Sequence, residues 1–313
     1  MSKGTIPDFT EGNDSIMLLS TQTDNLFRRF SPDEAIGILA AAGFDAIDYS
    51  MFAMTDDNCP LNTCDPEKYG MELRKKAEAA GLRFNQAHAP FPCWRSGDAA
   101  YNEKMPARIL QSIRIAGVLG AKAIVVHPIA YTERGEAQKA FNFAFYRTLE
   151  STAREYGIRI ALENMWGRDS RRDYIVPNVC SLADELAEYY DGLAAPDVYT
   201  VCLDLGHCGL VGEEPYDAIR TLGKDRLGAL HVHDNNYRQD NHTLPYDYGM
   251  KMDWEKITRA LGEIDYQGDF TFEADNFLAR FGSDTVADAS AFMAAIGRKL
   301  MKKIDAARPG AAV

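Results

Sequence analysis

The sequence predicts an α/β fold, a single-domain (β/α)8 TIM barrel, and three observations lead to this prediction. Short apolar segments alternate with amphipathic segments along the chain, a pattern typical of strands and helices around a parallel sheet. Eight such units fit within 313 residues, which is the size of a closed barrel. The loop at 20–23 is Ser-Thr-Gln-Thr. It lacks the glycines that the alternative fold, a doubly wound open sheet, usually carries after its first strand.

The eight units follow one another without a linker, so we predict one domain over 1–313, with an N-terminal extension at 1–14 and a C-terminal tail at 304–313. The predicted strands are 15–20, 45–51, 83–88, 123–127, 159–163, 199–204, 229–233 and 269–273. The predicted helices are 32–42, 66–80, 102–119, 135–156, 181–190, 216–222, 253–264 and 284–303. Ser31 before Pro32 is typical of a helix start, and Gly43 is typical of a helix end.

Two predicted loops, 52–65 and 166–180, are longer than a barrel requires. Long loops at the active end of a barrel are candidate lids over a site. Trp166 begins the second of these loops. Trp166 and Trp94 each have two interpretations, as a core residue or as a surface on which a sugar ring stacks.

The composition excludes several classes of protein. The chain carries 34 basic and 46 acidic residues, a formal net charge of −12, and an acidic surface repels nucleic acids and anionic membranes. No segment approaches the roughly 20 apolar residues of a membrane span, and 1–14 lacks the apolar core of a signal peptide. Six cysteines without a dense framework are typical of reduced thiols. We therefore predict a cytoplasmic protein without a nucleic-acid or membrane partner.

Histidines and acidic residues concentrate where the predicted strands end. All six histidines lie at the carboxyl end of a predicted strand or just beyond one: His88, His127, His207, His231, His233 and His242. Glu163, Asp204 and Glu273 end the fifth, sixth and eighth strands. The carboxyl ends of barrel strands share one face, which is where barrel enzymes place their active sites. The sequence therefore predicts a functional site at this mouth.

Side chains alternate between the two faces of a strand, and this rule indicates which residues point into the barrel. In each of the last four strands the polar residue shares a face with a small residue, opposite bulky apolar side chains. The residues predicted to point inward are Glu163, Asp204, His231 and Glu273. Three adjacent carboxylates repel one another unless a divalent cation binds them. One such residue alone would be an ordinary structural group, but four together favour a cation, Mn²⁺ or Mg²⁺, with Zn²⁺ and Co²⁺ as alternatives.

Several short motifs occur in order over about three-quarters of the chain. They are His88-Ala89-Pro90, Val126-His127-Pro128, Leu162-Glu163-Asn164, Leu203-Asp204-Leu205-Gly206-His207, His231-Val232-His233-Asp234-Asn235, Asp240-Asn241-His242-Thr243-Leu244-Pro245, Met252-Asp253-Trp254 and Phe272-Glu273. This ordered set resembles the xylose-isomerase-like TIM barrel superfamily. Within that superfamily it resembles the sugar phosphate isomerase/epimerase group, to which ketose 3-epimerases and endonuclease IV are related.

The resemblance to ketose 3-epimerases implies one divalent cation, with Mn²⁺ in first place, and two glutamates that also shuttle protons. The matching ligand positions are Glu163, Asp204, His231 and Glu273, of which Glu163 and Glu273 are the predicted catalytic residues. The predicted substrate-binding residues are His88, His127, His207, His233, Trp166, Arg238 and His242. The implied activity is a sugar isomerase or epimerase that removes the proton next to a carbonyl through a metal-stabilised enediolate. The implied partner is a small carbohydrate, and a homo-oligomer is compatible with the group.

Other functions remain open. Dehydratases and lyases of keto-polyols or 3-keto-glycosides share the proton-removal step, so the ligand set does not separate them from epimerases. Endonuclease IV binds three zinc ions through nine ligands, and all nine have counterparts: His88, His127, Glu163, Asp204, His207, His231, Asp240, His242 and Glu273. The net charge of −12 argues against a phosphodiesterase that acts on DNA. A barrel that binds a sugar or a partner without catalysis is the third class.

Overall fold

A computed structural model describes residues 17–131 and 134–311, and eight parallel strands form its centre. The strands are Leu19–Gln22 (β1), Ala46–Ser50 (β2), Arg83–His88 (β3), Ala123–Val125 (β4), Arg159–Glu163 (β5), Tyr199–Asp204 (β8), Leu227–His231 (β9) and Phe270–Phe272 (β10). A separate antiparallel hairpin pairs Trp166–Asp169 (β6) with Tyr174–Pro177 (β7). The strand order in the large sheet is β10-β1-β2-β3-β4-β5-β8-β9. The predicted (β/α)8 barrel is confirmed.

The two ends of the sheet meet between β9 and β10. An isolated bridge joins Val232 to Phe272, and two backbone hydrogen bonds reinforce it. Val232 N donates to Thr271 O at 2.8 Å, and Glu273 N donates to Val232 O at 3.0 Å. The barrel is therefore nearly closed, with a short seam between these two strands.

Helices surround the strands. They are Asp24–Arg29 (α1), Pro32–Ala42 (α2), Pro66–Ala79 (α3), Ala99–Leu119 (α4), Glu136–Arg147 (α5), Glu150–Tyr156 (α6), Ala183–Leu193 (α7), Leu205–Leu210 (α8), Pro215–Arg226 (α9), Trp254–Glu263 (α10), Asp275–Leu278 (α11) and Val286–Ala306 (α12). Ser31 and Glu34 form a capping box at the start of α2, and Gly43 ends that helix with a φ of 90°. No helix in these described ranges is long and apolar enough to cross a membrane.

The predicted and observed elements differ at several places, and four of these differences change the description of the fold. The first strand lies at Leu19–Gln22 rather than 15–20. Just before it, the backbone N–H groups of Leu18 and Leu19 donate to the side chains of Asp269 and Asp45 instead of to a neighbouring strand. Residues 15–16 and the predicted extension at 1–14 lie outside the described residues. The helix at 135–156 is two helices, because Thr148 bonds to Phe145 O and ends the first. The loop at 166–180 contains the β6–β7 hairpin. The last helix continues to Ala306, beyond the predicted start of the tail at 304.

Two sets of apolar residues fill the structure. The larger core lies between the strands and the helices. The smaller cluster consists of short side chains on the strands: Ala123, Val125, Ala161, Cys202 and Ala229. Each alternates with bulky residues of the larger core. Because these side chains are short, space remains at the carboxyl end of the barrel for larger polar side chains.

Candidate functional site

Four side chains meet at the carboxyl ends of β5, β8, β9 and β10. Ligand atoms of Glu163, Asp204, His231 and Glu273 all lie within 4.8 Å of one another, and all four residues are buried. Nδ1 of His231 is 2.8 Å from Glu163 Oε1 and 3.2 Å from Glu273 Oε2. The structure thus brings together the four residues that strand alternation predicts to point inward. We call this group the carboxylate cluster.

Behind the carboxylate cluster lies a buried pair, Asp48 and His88, of which our sequence interpretation missed Asp48. Asp48, on β2, accepts a hydrogen bond from Nδ1 of His88 at 3.0 Å. Its other oxygen accepts from Gln86 Nε2 at 3.1 Å, and this amide nitrogen also lies 2.9 Å from His231 Nε2. The signal was present, because Asp48 shares its face with the short Ala46, just as Glu163 shares its face with Ala161.

A second polar cluster lies beside the first. It consists of His207, His233, Asp240 and His242, whose ligand atoms also lie within 4.8 Å of one another. Asp240 Oδ2 is 3.0 Å from His242 Nε2 and 3.4 Å from His207 Nε2. His233 Nε2 also contacts Asp204 Oδ1 at 2.9 Å. His233 therefore links this histidine cluster to the carboxylate cluster.

His127 approaches the carboxylate cluster from the end of β4. Its Nε2 lies 2.7 Å from Glu163 Oε2, yet that oxygen has no hydrogen-bond partner, so the contact is close without hydrogen-bond alignment. His88 Nε2 also lacks a hydrogen-bond partner and is 3.5 Å from Glu273 Oε1. Unpaired buried nitrogen and oxygen atoms are costly unless a further group binds them.

The two glutamates have opposite electrostatic environments. Burial raises the pKa of Glu163, but the nearby His231 and His127 outweigh burial and hold this pKa well below its ordinary value. Burial raises the pKa of Glu273 well above its ordinary value, and the charges of Glu163 and Asp204 raise it further. Without a cation, the cluster therefore favours one ionised and one protonated glutamate.

Two histidines of the histidine cluster, His207 and His242, have raised pKa values, which favour their positively charged form. Burial lowers the pKa of His207, but Asp204 and Asp240 outweigh burial and raise it to about 10. Burial also lowers the pKa of His242, whereas its bond to Asp240 raises it to about 9. These histidines hold the pKa of Asp240 far below its ordinary value despite burial. Protonated histidines thus balance the buried carboxylates.

The donor set fits a divalent cation. Within the described ranges, the carboxylates of Glu163, Asp204 and Glu273 form ion pairs with histidines and with no lysine or arginine. Carboxylate oxygens and imidazole nitrogens are the ligands of Mn²⁺, Zn²⁺ and Co²⁺ in proteins. A cation at the carboxylate cluster would replace the protons that otherwise offset its negative charge.

A cavity of about 520 Å³, the main cavity, opens above these groups. Its walls are Phe52, Phe91, His127, Glu163, Met165, Trp166, His207, Asp240, His242, Glu273, Asp275 and Asn276. Four predicted substrate-binding residues are among them: His127, Trp166, His207 and His242. His88 and His233 are fully buried below the cavity, and Arg238 is exposed on the loop after β9, outside these walls. Asp275 is a wall residue that we did not predict; burial raises its pKa to about 7.

Comparison with known proteins identifies the family. A family model described as xylose isomerase-like TIM barrel matches residues 36–296. The chain belongs to the xylose isomerase-like TIM barrel family. The predicted resemblance is therefore confirmed.

Proteins named for different activities are similar to the chain. The D-psicose 3-epimerase of Enterocloster bolteae is 26% identical over 242 residues, which cover 74% of this chain and 72% of that enzyme. A probable endonuclease 4 of Listeria innocua is 28% identical over 185 residues, which cover 55% of this chain and 58% of that protein. A crystal structure of a D-tagatose 3-epimerase-like protein has a TM-score of 0.69 and 21% identity, covering 92% of this chain and 98% of that one. In eight curated relatives that match the chain, the aligned part covers from 43% to 72% of the relative's length.

Proposed function

We propose that this protein is a divalent-metal-dependent sugar epimerase or isomerase that moves a proton at the carbon next to a carbonyl group. One observation carries the proposal: two glutamates, Glu163 and Glu273, belong to a single buried cluster with Asp204 and His231. The similarity to a ketose 3-epimerase supports the same reaction class. The proposed substrate is a small carbohydrate, since carbohydrates offer the carbonyl and adjacent hydroxyl groups that such a site binds.

Glu163, Asp204, His231 and Glu273 would hold the cation. When bound, a divalent cation polarises a carbonyl group and makes the neighbouring C–H bond more acidic. Mn²⁺ is our first choice, and Mg²⁺, Co²⁺ and Zn²⁺ are alternatives.

The two glutamates would carry the proton. One removes it from the carbon next to the carbonyl, and the other returns a proton to the opposite side of the same carbon, which is epimerisation. Return to the neighbouring carbon is isomerisation. His207 donates from Nδ1 to Asn164 O at 2.8 Å, which directs its Nε2 toward the Asp240 side of the main cavity. His207 and His127 would bind sugar hydroxyl groups. Trp166 donates its Nε1 to Asp240, and both ring nitrogens of His242 contact Glu273 O and Asp240 Oδ2, so these two residues would contact the sugar through their rings.

A solvent-exchange experiment tests this proposal. Metal-loaded protein is incubated with ketoses, inososes and 3-keto-glycosides in heavy water, and deuterium incorporation is followed by NMR. We expect incorporation next to the carbonyl of one substrate, with loss of activity in Glu273→Gln. Glu136→Gln, whose side chain is 91% exposed on α5, is the matched control. Normal exchange by Glu273→Gln would refute the role of Glu273. Loss of water from the substrate would instead identify a dehydratase.

The histidine cluster favours one second candidate, a zinc phosphodiesterase similar to endonuclease IV. His207, Asp240 and His242 lie together beside the carboxylate cluster, as expected for the additional ligands of a site with three zinc ions. Elemental analysis distinguishes the two candidates. About one Mn²⁺, Mg²⁺ or Co²⁺ ion per chain supports the epimerase. About three zinc ions per chain, with cleavage of DNA at abasic sites, supports the phosphodiesterase. Cytoplasmic location and homo-oligomer formation stay predictions.

A further inference from the structure

A second cavity of about 210 Å³, the side cavity, adjoins the main cavity. Both cavities are lined by Phe91, Met165 and Trp166. The remaining walls of the side cavity come from the loops after β3 and β4 and from the segment after β7. The volume of the main cavity, without the side cavity, already falls within the roughly 300–1,000 Å³ that is typical of small-molecule sites. The side cavity is therefore space that the proposed reaction of one sugar does not require.

The side cavity begins close to the reacting groups. The ring of Phe91 lies 4.3 Å from the ring of His127, and His127 Nε2 is 2.7 Å from Glu163 Oε2. On the other side of the junction, Trp166 Nε1 donates to Asp240 Oδ2 at 3.0 Å, which holds the indole in place. Phe91, Met165 and Trp166 line both cavities, so a molecule bound at the carboxylate cluster and long enough to pass these side chains would enter the side cavity.

The walls of the side cavity indicate what it binds. None of the residues found to line it is charged, so it offers no partner to a phosphate or carboxylate group. Trp94 supplies an aromatic surface and is held by edge contacts with Phe141 at 5.5 Å and Tyr131 at 6.0 Å.

Two of the residues on these walls, Ser96 and Asn178, carry neutral polar side chains. Within the ranges that the structure describes, the side chains of Ser96 and Asn178 form no hydrogen bond. Both a hydroxyl and an amide can donate and accept hydrogen bonds. Aromatic surfaces with a few neutral polar groups complement a sugar ring, which has apolar C–H faces and hydroxyl groups at its edge.

We propose that the side cavity is a subsite for a second, uncharged pyranose ring, joined by a glycosidic bond to the sugar that reacts in the main cavity. The substrate is then a disaccharide-like glycoside rather than a free monosaccharide or a sugar phosphate. This inference rests on the proposed function, which places the reacting sugar in the main cavity.

Calorimetric titration of the purified protein tests the subsite without any reaction. The ligands are methyl and phenyl glycosides of glucose, galactose and mannose, together with disaccharides of these sugars in α and β linkage. We expect one disaccharide to bind at least about tenfold more tightly than the matching methyl glycoside. Trp94→Ala and Asn178→Ala should each remove this preference and leave the dissociation constant of the methyl glycoside unchanged. Phe292→Ala, an exposed aromatic on α12, should keep the preference.

Three results would overturn the subsite: equal affinity for disaccharides and methyl glycosides, tighter binding of a phenyl glycoside than of any disaccharide, or a preference that survives Asn178→Ala. Asn178 decides the question if Trp94→Ala does not fold, which thermal unfolding reports. The proton-exchange experiment is independent. Exchange without a disaccharide preference refutes only the subsite, whereas a preference without exchange on any substrate refutes only the proposed reaction.

Discussion

Asp48 and His88 form a fully buried pair, in which Nδ1 of His88 donates a hydrogen bond to Asp48 Oδ1 at 3.0 Å. Burial lowers the pKa of His88, but the Asp48 carboxylate outweighs burial and raises it. The second ring nitrogen faces Glu273 at 3.5 Å. A carboxylate that accepts a hydrogen bond from one ring nitrogen of a histidine fixes the orientation of the ring and the tautomer, and so whether the other nitrogen carries a proton. Asp48 thus orients a histidine toward a proposed catalytic glutamate.

Asp48→Asn tests this relationship. The substitution keeps the volume of the side chain but removes the charge that orients His88, so we expect the rate of proton exchange to fall about 10–100-fold. The measurement is the exchange rate at saturating substrate, with circular dichroism to verify the fold. Asp33→Asn, at an exposed carboxylate on α2, should leave the rate unchanged. An undiminished rate in Asp48→Asn would show that His88 needs no such partner.

The histidine cluster predicts that stability of the metal-free protein depends on pH. His207 and His242 have pKa values raised to about 10 and about 9, above the ordinary value of about 6.5. A raised histidine pKa adds stability that is complete below the ordinary pKa and is lost as pH rises through the folded-state pKa. We therefore expect the melting temperature of chelator-treated protein to fall between about pH 7 and pH 10.

Asp240→Asn is the matched variant for this pH dependence, because Asp240 raises the pKa of both histidines. Its melting temperature should change less over the same pH interval than that of the unsubstituted protein. Identical pH profiles would mean that Asp240 does not stabilise the protonated histidines.

Removal of the metal should lower stability. A ligand that binds only the folded state adds about 2.7 kcal/mol to the free energy of unfolding at 100 times its dissociation constant. We expect a chelator to lower the melting temperature and added Mn²⁺ to restore it. Asp204→Asn should reduce the restoration, since it removes a ligand from the carboxylate cluster, whereas Glu136→Gln should not. If Mn²⁺ restores both variants equally, Asp204 is not a ligand.

The close contact between Gly206 and His233 predicts a packing defect. A β-carbon at Gly206 would lie 2.0 Å from Cε1 of His233, so Gly206→Ala must displace the ring that bonds to Asp204. We expect a loss of about 1–3 kcal/mol in the free energy of unfolding, measured by urea titration. Gly37→Ala is the control, because no atom lies within 4 Å of its added β-carbon and alanine is the better helix residue by about 0.5–1 kcal/mol. Equal effects of both substitutions would contradict this interpretation.

The sequence predicts the barrel and the carboxylate cluster well, because both depend on regular strands. A period of two residues puts Ala161 and Glu163 on one face whatever the surrounding loops do. The same rule applies to Asp48, which we missed because no recognised motif includes it. The family and the fold are confirmed by comparison and by structure, whereas the roles of the individual site residues stay predictions.

Loops could not be predicted in the same way. Tyr237 and His242, in the loop after β9, have φ angles of 62° and 41°, which residues other than glycine adopt infrequently. The local path depends on side-chain bonds, such as that from the Arg238 backbone N–H to Asn236 Oδ1 at 3.0 Å. The spacing of residues in the sequence does not predict the backbone conformation of such a loop. It therefore did not show that Arg238 lies outside the walls of the main cavity while His242 forms part of them.

The short seam of the barrel has a consequence for binding. His231 and Glu273 stand on opposite sides of that seam, where one bridge and two backbone hydrogen bonds join the strands. An ion held by both side chains would connect β9 to β10 across the least-bonded junction of the sheet. Amide hydrogens of Val232 and Glu273 should then exchange with deuterated solvent more slowly in the loaded protein. The rate of amide hydrogen exchange at the seam would thus report whether the site holds an ion, without knowledge of the substrate.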